Sequence, residues 1–318
     1  MASLRPSAVV ELAEGLRGFH RRGETLASID LGALARVLEH TPEDMTVTVE
    51  TGLTLAALQS HLARNGQWLP IDPPNAATLT IADLLNEDRS GPRRFGHGTI
   101  REHLLGLQVV LADGRVIRNG GKVVKNVAGY DLCKLFVGAR GTLGVIVEAT
   151  FKLRPLPEAE SFVTAPCASP HQVAQRIEAV LDSELTPIVL DLHHLAPHAS
   201  HLAPHLVLGL AGTREEVQWQ LSLAATLGIR EPAGLDHELR FWSQPILPRR
   251  LSVLPSRLAE TIQALGQVPW VARAGNGVIY HHSTLPPAQA GAVFGKGSLH
   301  RRIKDAYDPK HIFPDLSL

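Results

Sequence analysis

The chain has 318 residues, of which 44% are hydrophobic and 19% are charged, as in a globular protein with a substantial core. Lysine plus arginine equals aspartate plus glutamate at 31 each, so no overall field favours nucleic acid or an anionic membrane surface. No apolar run approaches the roughly 20 residues that span a bilayer, and the length predicts about two domains.

The N-terminal segment predicts a helix. Apolar residues recur at helical spacing within residues 6–22, and Ser7 stands where an N-cap is expected. The segment lacks the order of a secretion signal, in which a positive region precedes an apolar block and a small-residue cleavage site. Cys133 and Cys167 are the only cysteines, too few for a disulfide framework or an iron–sulfur ligand set. These features predict a reduced, cytoplasmic setting.

Hydrophobic periodicity predicts alternating strands and helices in the first half of the chain. Three prolines exclude helix from residues 67–75, which are expected to be extended. The other predicted elements are a short strand and a helical turn (29–40), a strand (45–52), a helix (53–66), two strands joined by Asp113-Gly114 (104–117) and a strand (145–153).

A second unit is predicted after a linker marked by Pro155 and Pro157. Its pattern is strand, helix, strand, strand and helix, with a last strand within residues 270–282. A solvated basic helix is expected within residues 298–309. The fold class is therefore α+β with two domains.

Residues 120–158, which begin GGKVVKNVAGYDLCKLFVGARGTLGVI, are rich in glycine. A dinucleotide-binding G-x-G-x-x-G lies between a strand and a helix, but a β-branched strand follows Gly138, Gly141 and Gly144 here. A Gly-Lys-Ser/Thr phosphate loop is excluded because valine follows Lys122. The local sequence leaves two readings open: a glycine-rich turn, or a main chain that approaches a ligand closely.

The longer pattern resembles the FAD-binding domain of the vanillyl-alcohol oxidase type, also called the p-cresol methylhydroxylase (PCMH) type. The resemblance is carried by the glycine-rich stretch, by QWLPIDPP and SGPRRFGHGTIREHLLGLQVVLADGRVI before it, and by WVARAGNGVIY and RRIKDAYDPKHIF after it. Within that superfamily the chain is most similar to the GlcE-like subunit of bacterial glycolate oxidase.

The resemblance implies that FAD lies between two α+β subdomains and that a cap closes over its ring. It implies a PCMH-type FAD-binding domain at residues 1–156, with a shortened subdomain at 1–50 and a second at 51–156. An α+β cap domain would follow at 157–285, and a tail at 286–318 would return to the FAD domain.

The same resemblance implies which residues contact the cofactor. Main chain from Gly141 onward would run along the flavin, and Arg93 and Arg101 would pair with phosphate, with surface salt bridges as the alternative for both arginines. The expected contacts are Thr80, Ile81, Ser90, Gly91, Arg93, Gly98, Arg101, Gly141, Thr142, Leu143, Gly144, Val145 and Ile146.

Three departures from the family pattern weaken the expected grip on the phosphates. The family holds the diphosphate on the amides of a Gly-Gly-Gly-Thr-like loop, but Gly23 is the only glycine between Arg22 and Ile29. The Gly-Gly pair of a second motif is replaced by Ala82-Asp83, so a carboxylate stands where main chain would meet an anion. The family's Asn-Pro-Gly-Arg/Lys-like tail corresponds to HIFPDLSL, without the glycine and the base.

Other chemical groupings are given structural interpretations. A histidine-rich loop is favoured over a zinc site because Pro197 and Pro204 interrupt any helix there, so no metal site is expected. Tyr130 and Asp131 are interpreted as turn residues and Cys133 as a buried thiol, so no catalytic residue is assigned. The histidines concerned are His193, His194, His198, His201 and His205.

These features predict the FAD-binding subunit of a glycolate oxidase/dehydrogenase-type complex that oxidises a small 2-hydroxy acid, with weakened or lost flavin binding. Its expected partners are an FAD-carrying catalytic subunit and an iron–sulfur subunit, through which it would lie at the periphery of the inner membrane. No nucleic acid partner and no transmembrane segment are expected. A stand-alone FAD-dependent oxidoreductase and a non-enzymatic assembly subunit without cofactor are the alternatives.

Overall fold

The computed structural model describes residues 3–121, 132–195, 203–282 and 298–315. The chain divides into two compact units: Met1–Ser90, Thr99–Leu156 and Phe294–Leu318 form the first, and Gly91–Gly98 and Pro157–Val293 form the second. The predicted α+β class is confirmed, because each unit packs helices against an antiparallel sheet. Within the described residues, no helix combines the length and the apolar character needed to cross a membrane.

The strands are β1 (Ser3–Leu4), β2 (Ser28–Ile29), β3 (Val37–Thr41), β4 (Thr46–Glu50), β5 (Gln67–Trp68), β6 (Leu104–Val110), β7 (Val116–Gly120), β8 (Val145–Lys152), β9 (Arg154–Pro155), β10 (Ala159–Pro166), β11 (Val189–His194), β12 (His205–Gly212), β13 (Glu231–Ala233), β14 (Arg249–Ser252), β15 (Trp270–Arg273) and β16 (Val278–His281). The helices are α1 (Val9–Arg22), α2 (Leu55–Ala63), α3 (Ile81–Glu87), α4 (Arg94–His97), α5 (Ile100–His103), α6 (Cys133–Phe136), α7 (Pro170–Leu181), α8 (Arg214–Thr226), α9 (Asp236–Trp242), α10 (Leu258–Leu265) and α11 (Ser298–Tyr307).

The first unit is built on a five-stranded antiparallel sheet with the order β3-β4-β8-β6-β7. Strand β8 is central and largely buried on both faces, which is why its sequence reads as a continuous β-branched and apolar run. Alternate side chains face two cores. Helices α2 and α3 contribute to one of them, and α1 covers the other together with Ile312 and Phe313.

Two local expectations are wrong. Helix α1 begins at Val9 with Ala8 at the N-cap position, whereas Ser7 donates its hydroxyl to Glu11 Oε2 at 2.9 Å. The helical turn expected before His40 is instead β3, which pairs with β4. Residues of β3 make their main-chain hydrogen bonds to β4, whereas a helical turn would have made them within the segment.

The second unit is a seven-stranded antiparallel sheet with the order β13-β10-β12-β11-β15-β16-β14. Its apolar core includes residues of α7, α8 and α10 and alternate residues of the central strands, among them Leu190 and Leu192. Asp191 and Arg273 lie at intervening positions of β11 and β15 and therefore face the other side of the sheet, where they contact α9.

Gly52 marks a close approach of two main-chain segments in the first unit. A Cβ at this position would lie 2.0 Å from the Leu31 carbonyl oxygen and 2.7 Å from that of Leu34. The Gly52 amide also donates to Leu34 O at 2.8 Å, so the two segments cannot separate without losing a hydrogen bond. The side chain of any other residue would have to displace main chain.

We therefore expect Gly52→Ala to lower the free energy of unfolding by about 3 kcal/mol, the upper range of overpacking. The matched control is Gly66→Ala, because Gly66 also ends a segment but no atom of the described residues lies within 4 Å of its Cβ position. Because the φ of Gly66 is positive, at 64°, alanine there should lower the free energy of unfolding by about 1–2 kcal/mol. Urea denaturation followed by circular dichroism measures the free energy of unfolding of both variants. Equal losses would contradict the close contact between Gly52 and the main chain of Leu31 and Leu34.

Candidate functional site

The first unit contains a cleft of about 420 Å³. That volume lies within the range of small-molecule sites, roughly 300–1,000 Å³. Five segments line it: a loop at residues 26–32, Gly52, α3 with Thr80 before it, a glycine-rich turn that leads into β8, and Phe313 with Pro314. We call the turn at residues 137–146 the glycine hairpin.

The glycine hairpin is fixed to α3 by two main-chain hydrogen bonds. The Gly138 amide donates to Leu85 O at 2.8 Å, and the Arg140 amide donates to Asn86 O at 2.9 Å. Gly138 and Gly141 have φ values of 81° and 71°, a region that favours glycine. Arg140 shares that conformation at 52°, although it is not glycine. The turn therefore has a defined shape rather than a loose glycine-rich path.

The glycines of this hairpin have different roles. A Cβ on Gly144 would lie 2.7 Å from Val109 Cγ1, so this glycine allows the hairpin to pack against β6. Among the described residues, a Cβ on Gly141 would meet only Asn86 Nδ2, at 4.0 Å. Gly141 is therefore the position where bare main chain borders the cleft, as a closely approaching ligand requires.

The structure brings part of the predicted contact set into the cleft. Thr80, Gly141, Gly144, Val145 and Ile146 line it. The other members of the same two segments, Ile81, Thr142 and Leu143, are buried at 0%, 2% and 6% exposure. The cofactor contacts of all these residues stay predictions.

The two arginines predicted to hold phosphate are already engaged. In the second unit, Arg93 Nε and Nη2 donate to both carboxylate oxygens of Glu160, at 2.8 and 2.5 Å. In the first unit, Arg101 Nη2 donates to Val137 O at 2.6 Å, and its Nε lies 3.8 Å from Asp88. Ser90, Gly91 and Gly98 likewise do not line the cleft. The pairing of these residues with phosphate stays a prediction.

The first turn of α3 supplies its own hydrogen-bond acceptors. The amides of Ile81 and Ala82 donate to carbonyls in the loop between β4 and α2, residues 51–53, at 2.9 and 2.8 Å. The Asp83 amide donates to Thr80 Oγ1 at 3.1 Å, and the Thr80 hydroxyl donates to Asp83 Oδ2 at 2.6 Å. This capping box means that the amides that begin the helix are already paired within the chain.

The charges in the cleft decide how well it fits FAD. Asp30 and Asp83 both line it, and among the described residues that line it Arg140 is the one cation. Asp30 is held in place by the Gly32 amide, which donates to its Oδ1 at 2.9 Å. The bare main chain at Gly141 fits a flavin lying alongside it, but two carboxylates and a self-paired helix start do not fit a diphosphate.

Sequence analysis missed Lys304, Asp308, Phe313 and Arg140. The basic helix was expected to be solvated, yet Lys304 in α11 is 8% exposed and donates to Thr142 O at 2.9 Å. The spacing of Lys304 and Asp308, four residues apart, could have indicated a pair on one helix face. The distant carbonyl acceptor could not be read from local sequence.

The histidine cluster lies in the second unit. His193 stacks against His205 and His237, with ring centroids 5.6 and 4.8 Å away. Burial, followed by the charge of His237, lowers the pKa of His193 to about 3, so its ring is neutral at physiological pH. His194 instead stacks on Trp270, and His198 and His201 lie outside the described residues, as do Tyr130 and Asp131.

A buried ionic cluster accompanies these rings. Asp191, His237 and Glu238 bring possible metal-ligand atoms within 4.8 Å of one another. Arg273 already supplies a cation there, because its Nη1 donates to Asp191 Oδ2 at 2.5 Å and to Glu238 Oε1 at 2.7 Å. Its Nη2 donates to Glu238 Oε2 at 2.7 Å.

Cys133, interpreted as a buried thiol, is 3% exposed.

We expect Arg273→Met to lower the free energy of unfolding by about 3–5 kcal/mol, because it leaves two buried carboxylates without their counterion. Arg257→Met is the control, since Arg257 pairs with Glu260 at the surface and its loss should cost at most about 1 kcal/mol. Tryptophan fluorescence during urea denaturation reports mainly on this unit, which holds Trp219, Trp242 and Trp270 of the four tryptophans. Equal effects of both variants would contradict the cluster.

Sequence comparison adds independent information. A family model described as an FAD binding domain matches residues 15–120. The chain is 37% identical to glycolate oxidase subunit GlcD of Bacillus subtilis over 49% of this chain and 33% of that protein. It is 34% identical to glycolate oxidase subunit GlcE of Escherichia coli over 45% of this chain and 41% of that protein. The matches therefore span less than half the length of these relatives.

Comparison of structures agrees on the fold. A solved alkyldihydroxyacetonephosphate synthase matches with a TM-score of 0.76 over 99% of this chain and 77% of that one, at 15% identity. At that identity the likeness shows the fold alone. The family match and the relatives support FAD as the cofactor. Residues 15–120 thus match an FAD-binding domain model, and the chain is similar in sequence to glycolate oxidase subunits.

Proposed function

We propose that this chain is the FAD-binding subunit of a glycolate oxidase/dehydrogenase-type complex that oxidises a small 2-hydroxy acid, and that its hold on the flavin is weak. The observation that carries the proposal is the cleft wall at Gly141, where main chain without a side chain borders the cleft. The FAD-binding family match and the two glycolate oxidase relatives support this cofactor and this class of complex.

FAD would supply the two-electron chemistry, accepting the electrons of the hydroxy acid. The chain's own contribution would be to hold the cofactor: the Gly141 main chain would lie along it, and Arg140 would offset part of its negative charge. No described side chain in the cleft is a candidate general base, because Asp30 and Asp83 are committed to main-chain and capping hydrogen bonds. We assign no catalytic residue.

Weak binding follows from the charge of the cleft. Within the described part of the chain, two carboxylates and one guanidinium line the cleft, and this excess of negative charge would repel an anionic diphosphate. The amides that could have compensated at the start of α3 already have partners within the chain. The lost glycine-rich loop leaves residues 26–32 with one glycine, Gly32. These features favour a subunit that shares its function with partners.

The partner chains we propose are an FAD-carrying catalytic subunit and an iron–sulfur subunit. The relatives' names describe subunits of glycolate oxidase and therefore support an assembly of several chains. Co-expression followed by affinity purification tests this: a larger flavoprotein and an iron–sulfur protein should co-purify, and glycolate or lactate should reduce a dye. A stand-alone oxidoreductase would instead show dye reduction by the isolated chain, and an assembly subunit would bind no flavin at any concentration.

We expect Asp83→Asn to tighten FAD binding by about fivefold. The substitution removes a like charge near the diphosphate, worth about 1 kcal/mol at a partly exposed site, and keeps an oxygen that accepts from Thr80. Titration of FAD with the apoprotein, followed by quenching of flavin fluorescence, measures the dissociation constant.

The control is Glu216→Gln, which alters the equivalent acid of a second capping box, with Thr213, at the start of α8. Both substitutions weaken a helix cap by a similar amount, but Glu216 lies in the second unit and not in the cleft. Arg140→Gln should act in the opposite direction and weaken binding. If Asp83→Asn bound FAD no better than Glu216→Gln, the electrostatic account of weak binding would be wrong.

A further inference from the structure

The C-terminal segment forms part of the cleft wall. Phe313 and Pro314 line the cleft together with the glycine hairpin. Ile312 and Phe313 are 0% and 3% exposed and belong to the core beneath α1. The segment reaches this place directly after α11. One buried interaction holds it against the hairpin.

That interaction is made by the Lys304 ammonium. Its Nζ donates to Thr142 O at 2.9 Å in the hairpin and to Phe313 O at 3.1 Å in the C-terminal segment. It also donates to Asp308 Oδ2 at 2.6 Å, and Pro314 O lies at 3.4 Å. A lysine ammonium has three donors, so the three shorter bonds use all of them. One buried group thus joins two walls of the cleft.

Asp308 completes the link. It is fully buried, and its Oδ1 accepts from the Ile312 amide at 3.0 Å while its Oδ2 accepts from the Phe313 amide at 2.9 Å. The carboxylate therefore fixes the turn that follows α11 and neutralises Lys304 at the same time. Because both charges are buried and paired, the link is not screened as a surface ion pair would be.

We infer that Lys304 is a positioning residue for the cofactor: its ammonium sets the separation between the glycine hairpin and the Phe313–Pro314 wall. Thr142, whose carbonyl it holds, lies between the two hairpin glycines that border the cleft, Gly141 and Gly144. A site whose walls are fixed before binding loses less conformational entropy when the ligand binds. The identity of the ligand, FAD, rests on the proposed function, whereas the link between the two walls does not.

The experiment compares Lys304→Met with Lys310→Met. Methionine keeps the apolar length of the side chain and removes all three donors. Lys310 is the matched control because its Nζ donates to a single carbonyl, His20 O at 2.9 Å, at the protein surface. Hydrogen exchange of the apoproteins measures the amides of residues 137–146 and 308–315, and fluorescence quenching measures the dissociation constant of FAD. If Lys304→Met does not fold, Lys304→Gln, which retains a shorter donor, takes its place.

We expect Lys304→Met to speed amide exchange in both segments, with the α2 amides unchanged, and to weaken FAD binding by about tenfold. Lys310→Met should change neither. Unchanged exchange in both segments would overturn the link, and faster exchange with unchanged FAD affinity would overturn the positioning role. If the wild-type protein binds no FAD while Lys304→Met still loosens both segments, the link stands and the proposed function fails. The two failures are therefore distinguishable.

Discussion

Two main-chain hydrogen bonds, from the Gly138 and Arg140 amides to the end of α3, set the geometry of the cleft. They fix the glycine hairpin against the helix whose first turn forms the neighbouring wall, and they do so only with left-handed main chain at three of four consecutive positions. Two of those positions are glycine, which has no Cβ to strain. At Arg140 the same conformation costs of order 1 kcal/mol, and that strain lies beside the cleft.

The amides at the start of α3 already have hydrogen-bond partners within the chain. In a typical helix-terminal phosphate site, free amides await the ligand. Here the amides at the start of α3 pair with the loop between β4 and α2 and with Thr80, and Asp83 adds a negative charge at the same place. The hairpin that would meet the flavin is retained, whereas the groups that would hold the diphosphate are replaced or engaged elsewhere. The fold would therefore support the flavin end of the cofactor better than its diphosphate, which is why we propose weak binding and a function shared with partner chains.

Much of the fold could be predicted from the sequence, because β8, β6 and β4 carry strong period-two or continuous apolar patterns. The local role of Asp83 could also have been read, since Thr80 and Asp83 have the spacing of a capping box. Arg93 could not be placed, because its partner Glu160 lies 67 residues away. Lys304 was missed for the same reason: its Thr142 acceptor is a carbonyl 162 residues distant, and carbonyls carry no sequence signal.

The claim on which the account depends is that FAD lies along the glycine hairpin. Hydrogen exchange of the wild-type protein with and without saturating FAD tests it most directly, because bound cofactor slows the amides it covers. The account predicts slower exchange at residues 137–146 and at the start of α3, with little change in α7 or α8. Unchanged exchange at the hairpin, together with slower exchange confined to other segments, would contradict it.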